Sequence, residues 1–466
     1  MTMMRMPKVV AGAALAGVLL TGCGGADDPA PTGKGGEGGK ETSAAPPTPS
    51  GPSVLLTVPP AYSADKGWEQ SLAWMPAKYS SKPPVAVGAR SGTVAYVNTT
   101  EDGYVVQVRD ASSGRIRFTS EPWEPPTSMA EAGNGTYDGD EAELPSVSTA
   151  FQDGREYVVL WAHGVQGGDA LAKGKEVVRL LVFPMDASGS AVAPKRRIDI
   201  PVEVYGPNSE KGKGQDDLRV EDYGGGLQVH WNGLKKGAVA VDVTSGTIDA
   251  CADACAEGRG QVRTAKGWVV SNYVLDLAEM PGSWHIQDDA PPGGWSMMDK
   301  SSMDGQYVST IGGHLLTRWH TEAGGNFSTP LVAVHDAATG KLEASIVCER
   351  PRGDDAVSSP NGRFIAAGTV AFDLQRRHGT CLDAGESRKA DVLVRSITDD
   401  GTAYGELATG PGKDPGAVEI DLSAGDGAPR LLPDGTRVPE WALPGAGVFL
   451  TPNPVNGLLI SVLKQK

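Results

Sequence analysis

Three stretches of this chain follow one short plan. VRDASSGRIRF (108–118), VDVTSGTIDAC (241–251) and VHDAATGKLEA (334–344) each carry a short apolar run into Asp, small residues, Gly and a second apolar run. The plan spells a β-hairpin. Alternating apolar residues make two half-buried strands. Asp110, Asp242 and Asp336 are placed to accept backbone N–H bonds in the turn, as Asx residues do. Gly114, Gly246 and Gly340 supply the positive φ that a loop of three to five residues needs. Weaker copies join Asp186 to Gly189, Asp373 to Gly379 and Asp421 to Gly425, and the poorest lies around Asp276. These glycines recur at intervals that scatter around the ~40–50 residues of a four-stranded propeller blade. A second turn signal, Asp-Gly or Asn-Gly, stands ahead of β-rich runs at 153–154, 304–305, 361–362 and 400–401. That dipeptide favours two-residue hairpins. The 62 glycines and 34 prolines suit a chain dense in turns.

On these repeats the chain resembles the β-propeller proteins with quinoprotein-like and WD40-like repeats, as found in lipoproteins of high-GC Gram-positive bacteria. The resemblance covers roughly Trp68 to Leu463. It implies an all-β fold, a β-propeller of seven four-stranded blades, with six or eight as alternatives and a pair of β-sandwiches as the rival architecture. The closing run GVFLTPNPVNGLLISVL is expected to pair with N-terminal strands and so remove the exposed edges of an open sheet.

The front of the chain is read as targeting sequence. Arg5 and Lys8 precede an apolar run, Val9 to Leu20, too short to span a bilayer stably but suited to a signal-peptide core. Leu20-Thr21-Gly22-Cys23 directly after it resembles the bacterial lipobox. That resemblance implies cleavage before Cys23 and a diacylglycerol on its sulfur. Residues 1–22 are therefore expected to be a lipoprotein signal peptide. Residues 23–53, rich in Gly, Pro, Ala, Ser and Thr, have too little apolar surface to order themselves and are read as a tether. Residues 54–466 are assigned to the propeller. The expected location is the extracytoplasmic side of the cell membrane, through the lipid anchor, as a monomer.

Propeller topology separates two faces. The Asp…Gly hairpins precede the last strand of a blade, so they are C–D turns and share one end with the A–B turns. The longer insertions Glu121–Pro145, Val204–Asp217 and Ala278–Trp295 are assigned to the other end, where B–C and blade-to-blade connections lie. Trp123, Trp284, His285 and Trp295 are the candidate ligand face, since aromatic and polar groups together suit a sugar or peptide. For Trp284 and Trp295 the favoured reading is instead that they wedge between blades. Asp138, Asp140, Glu141 and Glu143, near Asn134 and Gly135, lack the ligand order of an EF-hand and are read as a solvated acidic loop (134–143), with Ca²⁺ binding as the alternative. His314 and His320 alternate onto one strand face without a third ligand, so no metal site is assigned. With Cys23 lipidated, four cysteines remain, and Cys251–Cys255 and Cys348–Cys381 are the favoured disulfides. A CxxxC metal site is the alternative for the first pair.

A net charge of −15 disfavours nucleic acid as a partner. No phosphate loop and no nucleophile beside a base are evident. The leading expectation is a non-enzymatic module that binds a protein, peptide or glycan of the cell envelope through the long-loop face, without a cofactor. The alternative is an enzyme: a quinoprotein-type dehydrogenase, or a hydrolase or lyase of wall polysaccharide. The quinoprotein family pairs adjacent cysteines with its cofactor, and no two cysteines here are adjacent. A glycosidase would need two carboxylates at a set separation.

Overall fold

The protein is described by a computed structural model at residues 52–76, 82–128, 144–168, 171, 174–204, 218–232, 236–251, 259–271, 277–294, 305–321, 330–352, 356–385, 389–408, 415–424, 427–452 and 457–466. Eight antiparallel sheets make up its fold, a β-propeller. Seven blades run consecutively, with their innermost strands, A, beginning at Val85, Ser146, Leu218, Arg259, Gln306, Ala356 and Val392. The eighth is composite. Trp441–Leu443, Ala446–Pro452 and Leu458–Gln465 are its strands A to C, and Tyr62–Leu72 from the front of the chain pairs with the third as strand D.

Seven blades were expected; there are eight. The expectation counted C–D hairpins, and the composite blade has none, because its strands C and D lie at opposite ends of the chain. A ring closed this way always shows one hairpin fewer than its blades. The pairing of the closing run with an N-terminal strand is present, with Trp68 opposite Val462 and Leu72 opposite Leu458. Gly67 permits it: its φ is +149°, and a Cβ there would lie 1.9 Å from the Val462 carbonyl oxygen. The closure continues into the first blade, where the buried Trp68 indole donates to Ala111 O at 3.0 Å.

Middle strands lie between two neighbouring blades and are apolar on both faces. Arg155–Gln166, strand B of the second blade, buries nine consecutive residues from Tyr157 to Val165. Such runs hide the period-2 signal that strands use when one face meets water. Outer strands are the reverse: Ile248–Ala250 is exposed throughout. The first blade carries a fifth strand, Gly189–Val192, parallel to Ile116–Ser120 and contributed by the C–D connection of the second blade.

The Asp turns form as their chemistry requires. Asp110 accepts from Ser113 N at 2.9 Å, Asp242 from Thr244 N at 2.8 Å and Asp336 from Thr339 N at 2.7 Å. Gly114, Gly246 and Gly340 take φ of 69°, 83° and 70°. Two weaker readings need correction. In the sixth blade the left-handed position is Arg377, φ 54°, while Gly379 is paired in the strand opposite Phe372. In the fourth blade the C–D turn holds Gly282, upstream of which Asp276 lies outside the described residues. The segment Ala278–Trp295 is therefore no long insertion. Ala278–Met280 and Trp284–His285 are strands C and D of the fourth blade, followed by a short 3-10 helix, Ile286–Asp289.

Candidate functional site

All C–D turns and A–B turns sit at one end of the blades. The A–B turns are tight: Asp153-Gly154 (φ 51° and 77°) and Gly312-Gly313 (57° and 87°) each join two strands through two residues. The strand ends that the blade-to-blade connections join, Ser120 to Ser146 and Pro201 to Leu218, lie at the other end, and residues 129–143 and 205–217 between them are outside the described residues.

The structure scatters the sequence-derived ligand residues. Trp123 does lie at the long-connection end, bridged to Tyr104, but is only 5% exposed and packs between the first two blades. Trp284 is 9% exposed and packs between the fourth and fifth blades. Its ring lies under the C–D turn of the fifth, where a Cβ on Gly340 would meet it at 2.7 Å. Trp284 therefore sits towards the short-turn end. His285 caps the 3-10 helix, accepting from Gln287 N at 3.3 Å. Trp295, Cys23, Cys255 and the acidic loop 134–143 lie outside the described residues. His314 pairs with Glu343 at 2.6 Å. Cys348 and Cys381 are joined in a disulfide, S–S 2.08 Å, and Cys251 is also disulfide-bonded.

A different group of polar residues converges on the first two strands of the third blade. Arg219 and Glu221 lie on strand A of the third blade, in register with His230 and Gln228 on strand B. Cross-strand partners and residues two apart share one face of a sheet, so these four form one polar patch. Gln228 fastens it to the fourth blade, donating to Arg263 O at 2.9 Å and accepting from Arg263 N at 2.8 Å. The Tyr223 ring meets the His230 ring edge-on, centroids 5.4 Å apart. Lys82, from just ahead of the first blade, reaches Glu221 at 2.7 Å. The turn containing Tyr223 also touches the fifth blade directly, Gly313 N donating to Tyr223 O at 2.9 Å. There the phenol of Tyr307 accepts from Thr310 Oγ1 at 3.2 Å.

Electrostatics set the protonation states here. Burial would raise the Glu221 carboxyl, but Lys82 and the Tyr223 hydroxyl outweigh it and hold it below its ordinary value. Burial lowers His230 to about 4, with Glu221 opposing and Arg219 reinforcing the shift. Burial raises Tyr223, with the neighbouring Glu221 charge adding to it, and burial likewise raises Tyr307. At neutral pH the patch thus presents a neutral imidazole and neutral phenols around one Lys–carboxylate pair. Such a surface hydrogen-bonds polar ligands. It contains one carboxylate among the described residues, since Asp222 next to it is engaged by the backbone of Phe151, Gly224 and Gly226. Sequence reading missed this patch because it combines strands whose blade membership only the assembled ring reveals.

The chain matches no protein-family model. It also matches no curated protein. Among solved structures it is similar to the β-propeller domain of Cps50 (Swd1) from Myceliophteria thermophila, at 9% identity over 84% of this chain and 99% of that one, TM-score 0.35. It is similar to the Dos1 propeller at 11% identity over 86% and 95%, TM-score 0.38. A third is the Listeria monocytogenes protein lmo1340, 7% identical over 80% and 88%, TM-score 0.34. Superpositions at this level carry no argument about function; the eight blades themselves establish the fold.

Proposed function

We propose that this protein is a lipid-anchored, extracytoplasmic β-propeller that binds or scaffolds a protein, peptide or glycan of the cell envelope. One observation supports the reading: a closed ring with tight turns at one end, whose widest blade-to-blade gaps in sequence, Ser120 to Ser146 and Pro201 to Leu218, open from strand ends at the other. Long connections on a rigid scaffold are where recognition is usually placed. The polar patch of Lys82, Arg219, Glu221, Tyr223 and His230, whose Tyr223 lies in an A–B turn, offers aromatic edges and polar groups at the opposite, short-turn end. A glycosidase would need a second carboxylate facing Glu221, and none joins the patch among the described residues. The lipobox supports the anchor.

The test replaces 129–143 with a short Gly-Ser linker and, separately, changes Tyr223→Ala in the A–B turn at the opposite end. Capture of a ligand from envelope extracts by the parent should be lost in the linker variant while its thermal transition stays within about 2 °C, because surface loops contribute little to a core. Parental capture by the linker variant, whether or not Tyr223→Ala loses it, would refute the assignment of the binding face.

A further inference from the structure

A cleft of about 360 Å³ opens at the short-turn end between the first two blades, away from the long connections. Its walls include Arg90, Arg117 and Arg155, with Phe151 beside them and Met185 buried in the floor. Three guanidinium groups in one cleft stand out in a chain with 57 acidic and 42 basic side chains. Two of them, Arg90 and Arg155, make no ion pair among the described residues, although both are exposed and Glu156 and Asp186 share the cleft.

Glu156 keeps its charge in the cleft but makes no ion pair with either guanidinium, for a visible reason. Its two oxygens accept from Arg90 N at 2.9 Å and Ser91 N at 2.6 Å, so this carboxylate is committed to the backbone. The same turn is held from the other side by Arg117, which donates to Ser91 O at 3.0 Å and to Asp110 at 3.0 Å. The Arg90–Ser91 turn is thus fixed before any ligand arrives, which lowers the entropic cost of binding. The Arg90 guanidinium lies over the Phe151 ring, 3.5 Å from its centroid. With one face covered by the ring, its N–H donors remain for an acceptor in the guanidinium plane, the geometry of a bidentate carboxylate. Gly154, beside Arg155, faces open space, so an extended chain has room to approach.

We propose that this cleft is a second binding site, taking a carboxylate side chain of an acidic peptide segment between Arg90 and Arg155. It is independent of the long-connection face, and either assignment can fail alone. The probe is a fluorescein-labelled hexaglutamate peptide titrated into the full-length protein in detergent, with hexalysine and inorganic phosphate as comparison ligands. Hexaglutamate should bind, weaken as salt is raised, and lose at least tenfold in affinity in Arg90→Ala/Arg155→Ala. Lys464→Ala should leave binding unchanged. Both arginines are exposed, so the double variant should keep the parental thermal transition, and Arg90→Lys should recover only part of the affinity because an ammonium lacks the planar fork. The overall charge of −15 works against nonspecific capture of a polyanion. No saturable hexaglutamate binding, equal binding by the double variant, or full displacement by millimolar phosphate would each overturn the proposal.

Discussion

At Gly340 two constraints meet that differ in how far the sequence reveals them. The positive φ follows from the Asp336 turn and was legible from VHDAATGKLEA. The Trp284 ring packed 2.7 Å from where a Cβ would stand was not. Gly340→Val should therefore cost more than backbone strain alone, about 2–4 kcal/mol against the usual 1–3, read as a lowered denaturation midpoint. Gly340→Ala with Trp284→Leu should recover part of that loss. His230 gives a second residue-scale prediction. The unfolded imidazole takes up a proton near 6.5, the folded one only near about 4. Between those values the unfolded chain binds more protons, so stability falls as pH falls through that window. The loss should approach about 1–3 kcal/mol, the lower end because the ring still touches solvent. The lowered Glu221, Asp110 and Asp242 act in the same direction but only below the ordinary carboxylate range. Burial lowers the His335 imidazole as well, so denaturant titrations from pH 7 to 5 should show a slope in both parent and His230→Gln, steeper in the parent, and the difference between them is the His230 contribution.

Elements carry the next scale. The disulfide ties the end of the outermost strand of the fifth blade to that of the sixth, Cys348 to Cys381, across a sequence separation of 33. Closing a loop of that size constrains the unfolded chain by roughly 3–4 kcal/mol. Cys348→Ser/Cys381→Ser should lower stability by about 2–4 kcal/mol in urea unfolding, and a loss under 0.5 would show that the strands are held by packing alone. The two segments 121–145 and 278–295, which looked alike in sequence, should now behave oppositely. The first connects blades, and shortening its middle should leave the fold intact. The second contains two strands of the fourth blade and the buried Trp284 and Ile286, so its deletion should abolish the cooperative transition. The confusion has a physical origin: strands of three and two residues carry too little alternation to register as strands.

For the whole molecule, closure and anchoring make the two predictions that matter. Tyr62–Leu72 is the only strand that the front of the described chain gives to the last blade. Removing residues up to Leu72 would expose the edge of Leu458–Gln465 and free the Trp68 contact to the first blade. The truncated protein should aggregate or melt at least 10 °C below the parent, because an open apolar edge invites pairing with other chains. Anchoring rests on Cys23. Cys23→Ala should leave the precursor uncleaved or shift the protein from membrane to supernatant fractions. Unchanged processing with detergent-dependent partition would exclude the lipid anchor.

The sequence alone determined what depends on neighbours in the chain: the Asp–Gly turn chemistry, the all-β propeller class, and the role of the closing run. Turns are local, so Asp110, Asp242 and Asp336 announce them within five residues. Blade number, the burial of Trp123, the blade turn above Trp284, the polar patch around Glu221 and the arginine cleft were decided only in three dimensions. Each depends on contacts between strands tens to hundreds of residues apart: Trp284 beneath Gly340, Lys82 on Glu221, Arg90 over Phe151, and Tyr62–Leu72 beside Leu458–Gln465. Ring closure brings such partners together, and no local pattern encodes which blades will meet.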